Sequence, residues 1–216
     1  VFISLKPKGK APGDASAQQM RVIAKVSEDY SHGEIRVTHE QNLVLPHIKN
    51  SDLFNVWNKL KNFNLATPNL GLITDTICCP GMDYCSLATA RSIPISQKIS
   101  EYYEKFEKQN EIGELKIKIS GCINACGHHH AGNIGILGLE RNGEESYQIT
   151  LGGSASQDAA IGKIIGPSFP ENELLNAIEK ILIVYKKNRK SSDEDFLSVF
   201  NRLGIKPFKD VVYDSP

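Results

Sequence analysis

Two pairs of cysteines carry the most specific chemistry in this chain. Cys79 and Cys85 are spaced C-x5-C in Cys79-Pro80-Gly81-Met82-Asp83-Tyr84-Cys85, and Cys122 and Cys126 are spaced C-x3-C in Gly121-Cys122-Ile123-Asn124-Ala125-Cys126-Gly127. Both pairs lie in turn-rich loops, which can converge in space as four thiolates. Four thiolates suit tetrahedral zinc or an iron–sulfur cluster. Structural zinc usually takes tighter knuckles, C-x2-C or C-x4-C, so the spacing favours a cluster. Zinc, and buried thiols holding no metal, remain the alternatives on spacing alone. Cys78 adjoins Cys79 but breaks the five-residue spacing, and it reads as a small buried side chain. Three consecutive histidines, His128-His129-His130, cannot all face one point in a regular strand or helix, so no separate metal site is expected there.

The composition narrows the setting. The chain has 216 residues, with 25 Lys plus Arg balanced by 25 Asp plus Glu. That length allows one large or two small domains with a buried core. A neutral balance suggests neither a nucleic-acid surface nor a membrane surface. The short apolar run Ile181 to Tyr185 is far below the length of a membrane span, and no signal peptide is visible. Five cysteines in a chain of this size fit a reducing compartment, the cytoplasm, better than a disulfide framework. The first residues, Val1 to Leu5, already alternate as a strand, which suggests a fragment or a processed piece.

The elements that position the cysteines are legible in outline. After the first strand, a Pro/Gly loop leads to Asp14 as a helix cap, and a helix carries Met20, Ile23 and Val26 on one face as far as Tyr30. Strands follow at Ile35 and Val37 and at Leu43 to Leu45. Ser51 caps a second helix with Leu53, Val56, Trp57 and Leu60, the tryptophan being read as core. Gly71 to Thr74 closes the unit as a fourth strand. This order, β-α-β-β-α-β, is the ferredoxin-like split βαβ, with a boundary at Pro68-Asn69. Beyond the first cysteine loop, Ser86 to Ser92 reads as a short helix. Ser96 caps a longer one with Ile99, Tyr103 and Phe106 on one face, and Gln109 to Gly113 is a turn. Leu115 to Ile119 is a strand running into the second cysteine pair. Ile134 to Leu139 and Ser146 to Leu151 form a hairpin about Asn142-Gly143. Pro170 opens a helix through Tyr185, and Asp193 starts a last one that Gly204 stops.

The cysteine pattern resembles the signature of the sirohaem-containing nitrite and sulfite reductases. Two further stretches extend the likeness. Arg36-Val37-Thr38-His39-Glu40-Gln41-Asn42 resembles the R-x-T-x-x-Q-N segment of that family's ferredoxin-like repeats, and Leu151-Gly152-Gly153 resembles its Leu-Gly-Gly turn. The markers run from about Val1 to Tyr213.

The resemblance implies an α+β fold: a ferredoxin-like repeat over residues 1–68, then an α/β domain over 69–216 that binds sirohaem and a [4Fe–4S] cluster. It implies Cys79, Cys85, Cys122 and Cys126 as cluster ligands. It also implies Cys126 as the catalytic residue that bridges cluster and sirohaem iron. Arg36, Asn124, Gly152 and Gly153 are candidate sirohaem contacts, and Arg91, Lys116, Lys118 and Lys163 are candidate partners for its carboxylates or for an anionic substrate. One of the three histidines is expected to face the cofactor shell.

The implied activity is six-electron reduction of sulfite, the first choice because Cys-Ile-Asn-Ala-Cys-Gly-His-His-His is similar to the sulfite reductase haemoprotein branch. Nitrite reduction is the runner-up. A precorrin-3B synthase-like enzyme and a non-enzymatic zinc module held by the four cysteines are the other readings. The implied electron donor is ferredoxin or a flavoprotein subunit, with no nucleic acid and no membrane as partner. The family is built from two repeats and this chain resembles the second. The chain alone, without the N-terminal repeat, is therefore expected to be inactive.

Overall fold

The computed structural model describes residues 1–213 and divides into two compact units, Val1–Leu70 and a second from Gly71 onward. The first unit comprises β1 (Phe2–Ile3), α1 (Ala17–Tyr30), β2 (Arg36–Val37), β3 (Leu43–Val44) and α2 (Leu53–Lys61). Its strands form an antiparallel sheet in the order β1-β3-β2, with Phe2 opposite Val44 and Arg36 opposite Val44 on the other side. Ile3, Leu5, Ile23, Val26, Leu43, Leu45, Val56, Leu60 and Leu65 make its core.

Several sequence expectations shift here. α1 starts at Ala17, not after Asp14, because Ser16 and Gln19 form a reciprocal capping box that satisfies two backbone donors. Ser51 lies inside a 3-10 turn, Asn50–Asp52, and does not cap α2. Trp57 is not core: it is 43% exposed beside Phe54, and the Lys61 ammonium sits 4.5 Å over its ring. The buried face of α2 is the i, i+4 pair Val56 and Leu60.

The fourth strand is absent among the described residues. Gly71 has φ +74°, and the Asp75 carboxylate accepts its N–H at 2.9 Å. The Asp75 N–H in turn donates to the Leu72 carbonyl at 2.8 Å, so the segment folds as turns within the second unit, where Ile73 joins the core. The first unit is the β-α-β-β-α part of the ferredoxin-like pattern.

The second unit runs β4 (Ile77–Cys78), α3 (Ile93–Tyr102), α4 (Phe106–Ile112), β5 (Ile117–Ser120), β6 (Ile134–Arg141), β7 (Glu144–Leu151), β8 (Lys163–Ile164), β9 (Phe169–Pro170), α5 (Glu171–Asn188), α6 (Phe196–Leu203) and α7 (Lys206–Tyr213). The sheet order is β4-β5-β6-β7-β8, with β9 also on β7. β4, β5 and β6 are parallel, and the rest pair antiparallel. Leu174, Ile178, Ile181 and Tyr185 of α5 pack against the same core as Ile117, Ile119, Ile136 and Ile149 of the sheet. The Asn142-Gly143 turn has positive φ at both residues, as a two-residue hairpin requires.

Ser86 to Ser92 forms turns rather than a helix, because its backbone bonds are spent on the neighbouring loop. α3 therefore starts at Ile93 with Ser92, not Ser96, at the N-cap, and Pro94 fits its first turn. Gln109 to Ile112 is helical, the last part of α4, closed by Gly113 at φ +81°. Phe106 is 44% exposed, so of the aromatics expected on that face Tyr103 alone is core. Asp195, not Asp193, caps the penultimate helix, its carboxylate accepting the Ser198 N–H at 2.7 Å.

Candidate metal centre

The two cysteine loops leave the sheet side by side. β4 and β5 are parallel, with Cys78 opposite Ile119, so Cys79 and Gly121-Cys122 emerge at the carboxyl ends of adjacent strands. Such ends are where open α/β sheets place ligands. The Cys79 N–H still donates to the Ile119 carbonyl at 3.2 Å, and the Gly121 N–H donates to Cys79 Sγ at 3.1 Å.

The long first loop folds back onto the second. Thr89 and Ala90 N–H both donate to the Gly121 carbonyl, at 2.9 and 3.0 Å. The Thr89 hydroxyl donates to the Gly121 and Gly138 carbonyls, at 3.1 and 3.2 Å. Within the loop, Cys85 N–H bonds the Gly81 carbonyl at 2.9 Å. The contact leaves no room at Gly121, where a Cβ would lie 2.6 Å from the Ala90 carbonyl oxygen and 2.9 Å from Gly81 Cα. In the second loop Ala125 and His128 are left-handed, and their N–H groups bond the Cys122 and Ala125 carbonyls. The tight curl keeps Cys122 and Cys126 on one short arc.

The first loop is also clamped to β7. Arg91 lies 3.4 Å from the Asp83 carboxylate and 3.2 Å from that of Glu145. Glu145 accepts the Arg91 N–H at 2.6 Å and the Tyr147 hydroxyl at 2.9 Å. Burial and this neighbouring carboxylate push the Tyr147 phenol well above its ordinary range. Arg91, expected to face an anion, is thus occupied in holding the loop. Neither this clamp nor the Thr89 bonds are visible from spacing, since their partners Glu145, Gly121 and Gly138 lie far along the chain.

All five cysteines are free thiols. Cys79 and Cys122 are buried, Cys85 is half-buried and Cys126 is exposed, while Cys78 belongs to the hydrophobic core. Among the described residues no three His, Cys, Asp or Glu side chains are grouped to share one metal ion. A cluster binds each thiolate at a separate iron and accepts wider spacing. The donor set fits it: four thiols on two interlocked loops, with one sulfur already receiving a backbone N–H. Ser120 Oγ and His129 Nδ1, on the same β5–β6 connection, are buried without hydrogen-bond partners.

The other candidates are dispersed. Asn124 is exposed beside Cys126, with Ile123 next to it 84% exposed. Gly152 packs on the Phe200 ring at φ +84°, and Gly153 packs on the His130 and Gly132 carbonyls, its own carbonyl accepting from Asn133. Arg36 lies in the first unit on β2, where its guanidinium bonds Glu34 at 2.6 Å. Lys118 is buried in β5, Lys116 is 3.9 Å from Glu114, and Lys163 is exposed on β8. The three histidines diverge: His128 and His130 are exposed and His129 is buried, its ring stacked on that of His130 at 4.0 Å. Burial, with a smaller contribution from His130, pushes His129 down to about 4.

A ferredoxin-like unit followed by a sheet whose parallel strands release four thiols on two locked loops is the frame of a thiolate-binding protein. Comparison with known proteins gives the family. Residues 71–216 match the nitrite and sulphite reductase 4Fe-4S domain, and residues 3–63 match the nitrite/sulfite reductase ferredoxin-like half domain. The chain belongs to the sirohaem-dependent nitrite and sulfite reductase family, whose cofactors are a [4Fe–4S] cluster and sirohaem.

Among relatives, the ferredoxin–nitrite reductase of Spinacia oleracea is 26% identical over 79% of this chain and 30% of its own length. The sulfite reductase [NADPH] hemoprotein beta-component of Bacillus licheniformis is 30% identical over 86% of this chain and 32% of its own. The structure of Mycobacterium tuberculosis NirA superposes with a TM-score of 0.78 at 23% identity, over 98% of this chain and 39% of that one. The chain thus spans about a third of the length of the curated relatives it matches. Among the described residues no helix is long and apolar enough to cross a membrane.

Proposed function

We propose that this chain is the cluster- and sirohaem-binding part of an assimilatory sulfite reductase, with Cys79, Cys85, Cys122 and Cys126 as the four cluster ligands. The observation that carries this is the bond from Gly121 N–H to Cys79 Sγ across the two interlocked loops. A backbone donor aimed at sulfur stabilises a ligating thiolate. On this reading residues 69–216 are the cofactor domain and 1–68 the ferredoxin-like repeat.

When bound, sirohaem would supply the iron at which the anion is reduced, and the cluster would supply electron-transfer capacity. The chain's own residues hold and shield. Cys79 and Cys122 anchor from the buried side. Cys126 stands at the exposed end of the second loop, where its sulfur would be the ligand open to sirohaem and is proposed as the catalytic residue. Asn124, Gly152, Gly153 and Arg36 are proposed as further sirohaem contacts. Sulfite is preferred to nitrite because the stretch Cys122-Ile123-Asn124-Ala125-Cys126-Gly127-His128-His129-His130 is similar to the sulfite reductase haemoprotein branch. The electron donor is taken to be ferredoxin or an NADPH-linked flavoprotein, in a reducing compartment such as the cytoplasm. Because the relatives are about three times longer, turnover is assigned to the longer protein and not to these 216 residues alone.

The test is anaerobic reconstitution with iron and sulfide. The chain should bind about four of each per molecule. Serine in place of Cys79, Cys85, Cys122 or Cys126 should destabilise or abolish the visible spectrum, while Cys78→Ala should leave it. Full loading after loss of any of the four removes that residue from the ligand set. Methyl viologen-linked assays with sulfite and nitrite on the longer protein decide the substrate, and sulfite-reducing turnover by the 216 residues alone would refute their assigned inactivity.

A further inference from the structure

Ser92 stands at the N-cap of α3, where a serine hydroxyl ordinarily accepts a backbone N–H of the first turn. It makes no such bond. The residue is fully buried, and its hydroxyl is turned back onto Cys79, 2.7 Å from the carbonyl oxygen and 3.4 Å from Sγ. Gly81 leaves the space: a Cβ there would overlap the Ser92 hydroxyl. The helix therefore forgoes its side-chain cap, and the hydroxyl it would have used serves the first cysteine of the loop.

A hydroxyl has one proton and two acceptor lone pairs. Opposite a thiol, Cys79 S–H can donate to Ser92 Oγ while the Ser92 O–H donates to the Cys79 carbonyl, which closes a small ring. A ligating sulfur carries no proton and accepts only. The hydroxyl proton then lies between a carbonyl and an anionic sulfur, and charge-assisted bonds are the stronger. With the Gly121 N–H at 3.1 Å, the sulfur would have a backbone donor and a side-chain donor.

We propose that Ser92 is a positioning residue for Cys79, its hydroxyl holding the sulfur for ligation and raising the reduction potential of the cluster that Cys79 binds. The proposal rests on the reading of Cys79 as a ligand. Its physical basis is that a donor to sulfur favours the more electron-rich, reduced cluster.

The experiment is a potentiometric titration with dithionite, followed by electron paramagnetic resonance, on the full chain loaded with iron and sulfide. Ser92→Ala should keep the iron content and weaken reduction by about tenfold, a midpoint about 59 mV lower for one electron. Ser92→Thr, which retains a hydroxyl, should restore most of the shift. An unchanged midpoint in Ser92→Ala, or an equal fall in Ser92→Thr, overturns the proposal. If the alanine variant does not fold, Ser92→Gly replaces it with the same expectation, since glycine is accepted at an N-cap. Loss of iron uptake in Ser92→Ala, Ser92→Gly and Ser92→Thr alike overturns the proposal. Cys79→Ala separates the two ideas. If that variant loads fully with an unaltered spectrum, the ligand reading fails. If it does not load, an unmoved Ser92→Ala midpoint removes Ser92 alone.

Discussion

His129 is 3% exposed, and its Nδ1 has no hydrogen-bond partner, so nothing nearby compensates a charge on the ring. Burial holds its pKa at about 4, against about 6.5 for a histidine in an unfolded chain. Between those values the unfolded chain binds a proton that the folded chain refuses. Stability is thus complete above pH 6.5, falls as pH falls through that value, and stops falling near 4. The loss by pH 5 is about 2 kcal/mol. Urea midpoints of the metal-free chain at about pH 7 and pH 5 measure it, and His129→Gln should flatten the difference. A pH dependence equally steep in the variant would show that other groups cause it. The three histidines illustrate what residue types alone tell. The expectation that they do not share one metal ion rests on a regular strand or helix, whereas here His128 is left-handed and a 3-10 turn follows. Which of them is buried depends on the left-handed turn at His128, which no periodicity announces.

At the scale of elements, the interlock of the two cysteine loops is the feature on which the site depends. Its tightest point is Gly121. Gly121→Ala would force a methyl against the Ala90 carbonyl oxygen and Gly81 Cα, both backbone, so neither can swing aside. Overpacking of this kind costs about 1–3 kcal/mol, and here it would also pry the first loop from the second. Urea denaturation should show that loss, and iron content after reconstitution should fall. Gly143→Ala is the control. Nothing lies within 4 Å of a Cβ there, and its φ of +83° leaves backbone strain of about 1–2 kcal/mol with iron loading intact. If both variants load iron equally, the interlock is not what holds the site. Legibility follows the same line. The β6–β7 hairpin and α5 are written locally, in Asn142-Gly143 and in a helical apolar period. α7 is hidden because Gly204 reads as the end of the last helix; its Pro207 sits in the first turn, where proline is tolerated. The fourth strand does not form because its apolar residue Ile73 is claimed by the core of the other unit. The clamp of Arg91, Asp83, Glu145 and Tyr147, and the turning of Ser92 onto Cys79, arise from contacts distant in sequence that no local pattern encodes.

At the scale of the whole molecule, each unit carries its own hydrophobic core. The larger core draws its buried members from Ile73 to Val212, and the smaller from Ile3 to Leu65. All five cysteines fall in the second unit, as do Thr89, Ser92, the Arg91 clamp and the strands that release the loops. A chain of that length can bury enough apolar surface to fold by itself. Residues 71–216 expressed alone should therefore fold and, given iron and sulfide anaerobically, take up as much iron as the full chain with the same visible spectrum. Residues 1–70, which hold no cysteine, should take up none. Circular dichroism establishes whether each piece is folded before iron is counted, which keeps misfolding apart from loss of the site. Arg36 supplies the sharper comparison, since it is proposed as a sirohaem contact and lies in the unit without cysteines. Cluster loading should be indifferent to Arg36→Ala in the full chain, whereas sirohaem retention in the longer protein should fall. A folded 71–216 piece that binds no iron would show that the first unit completes the cluster site, and the ligand set would have to be sought across both.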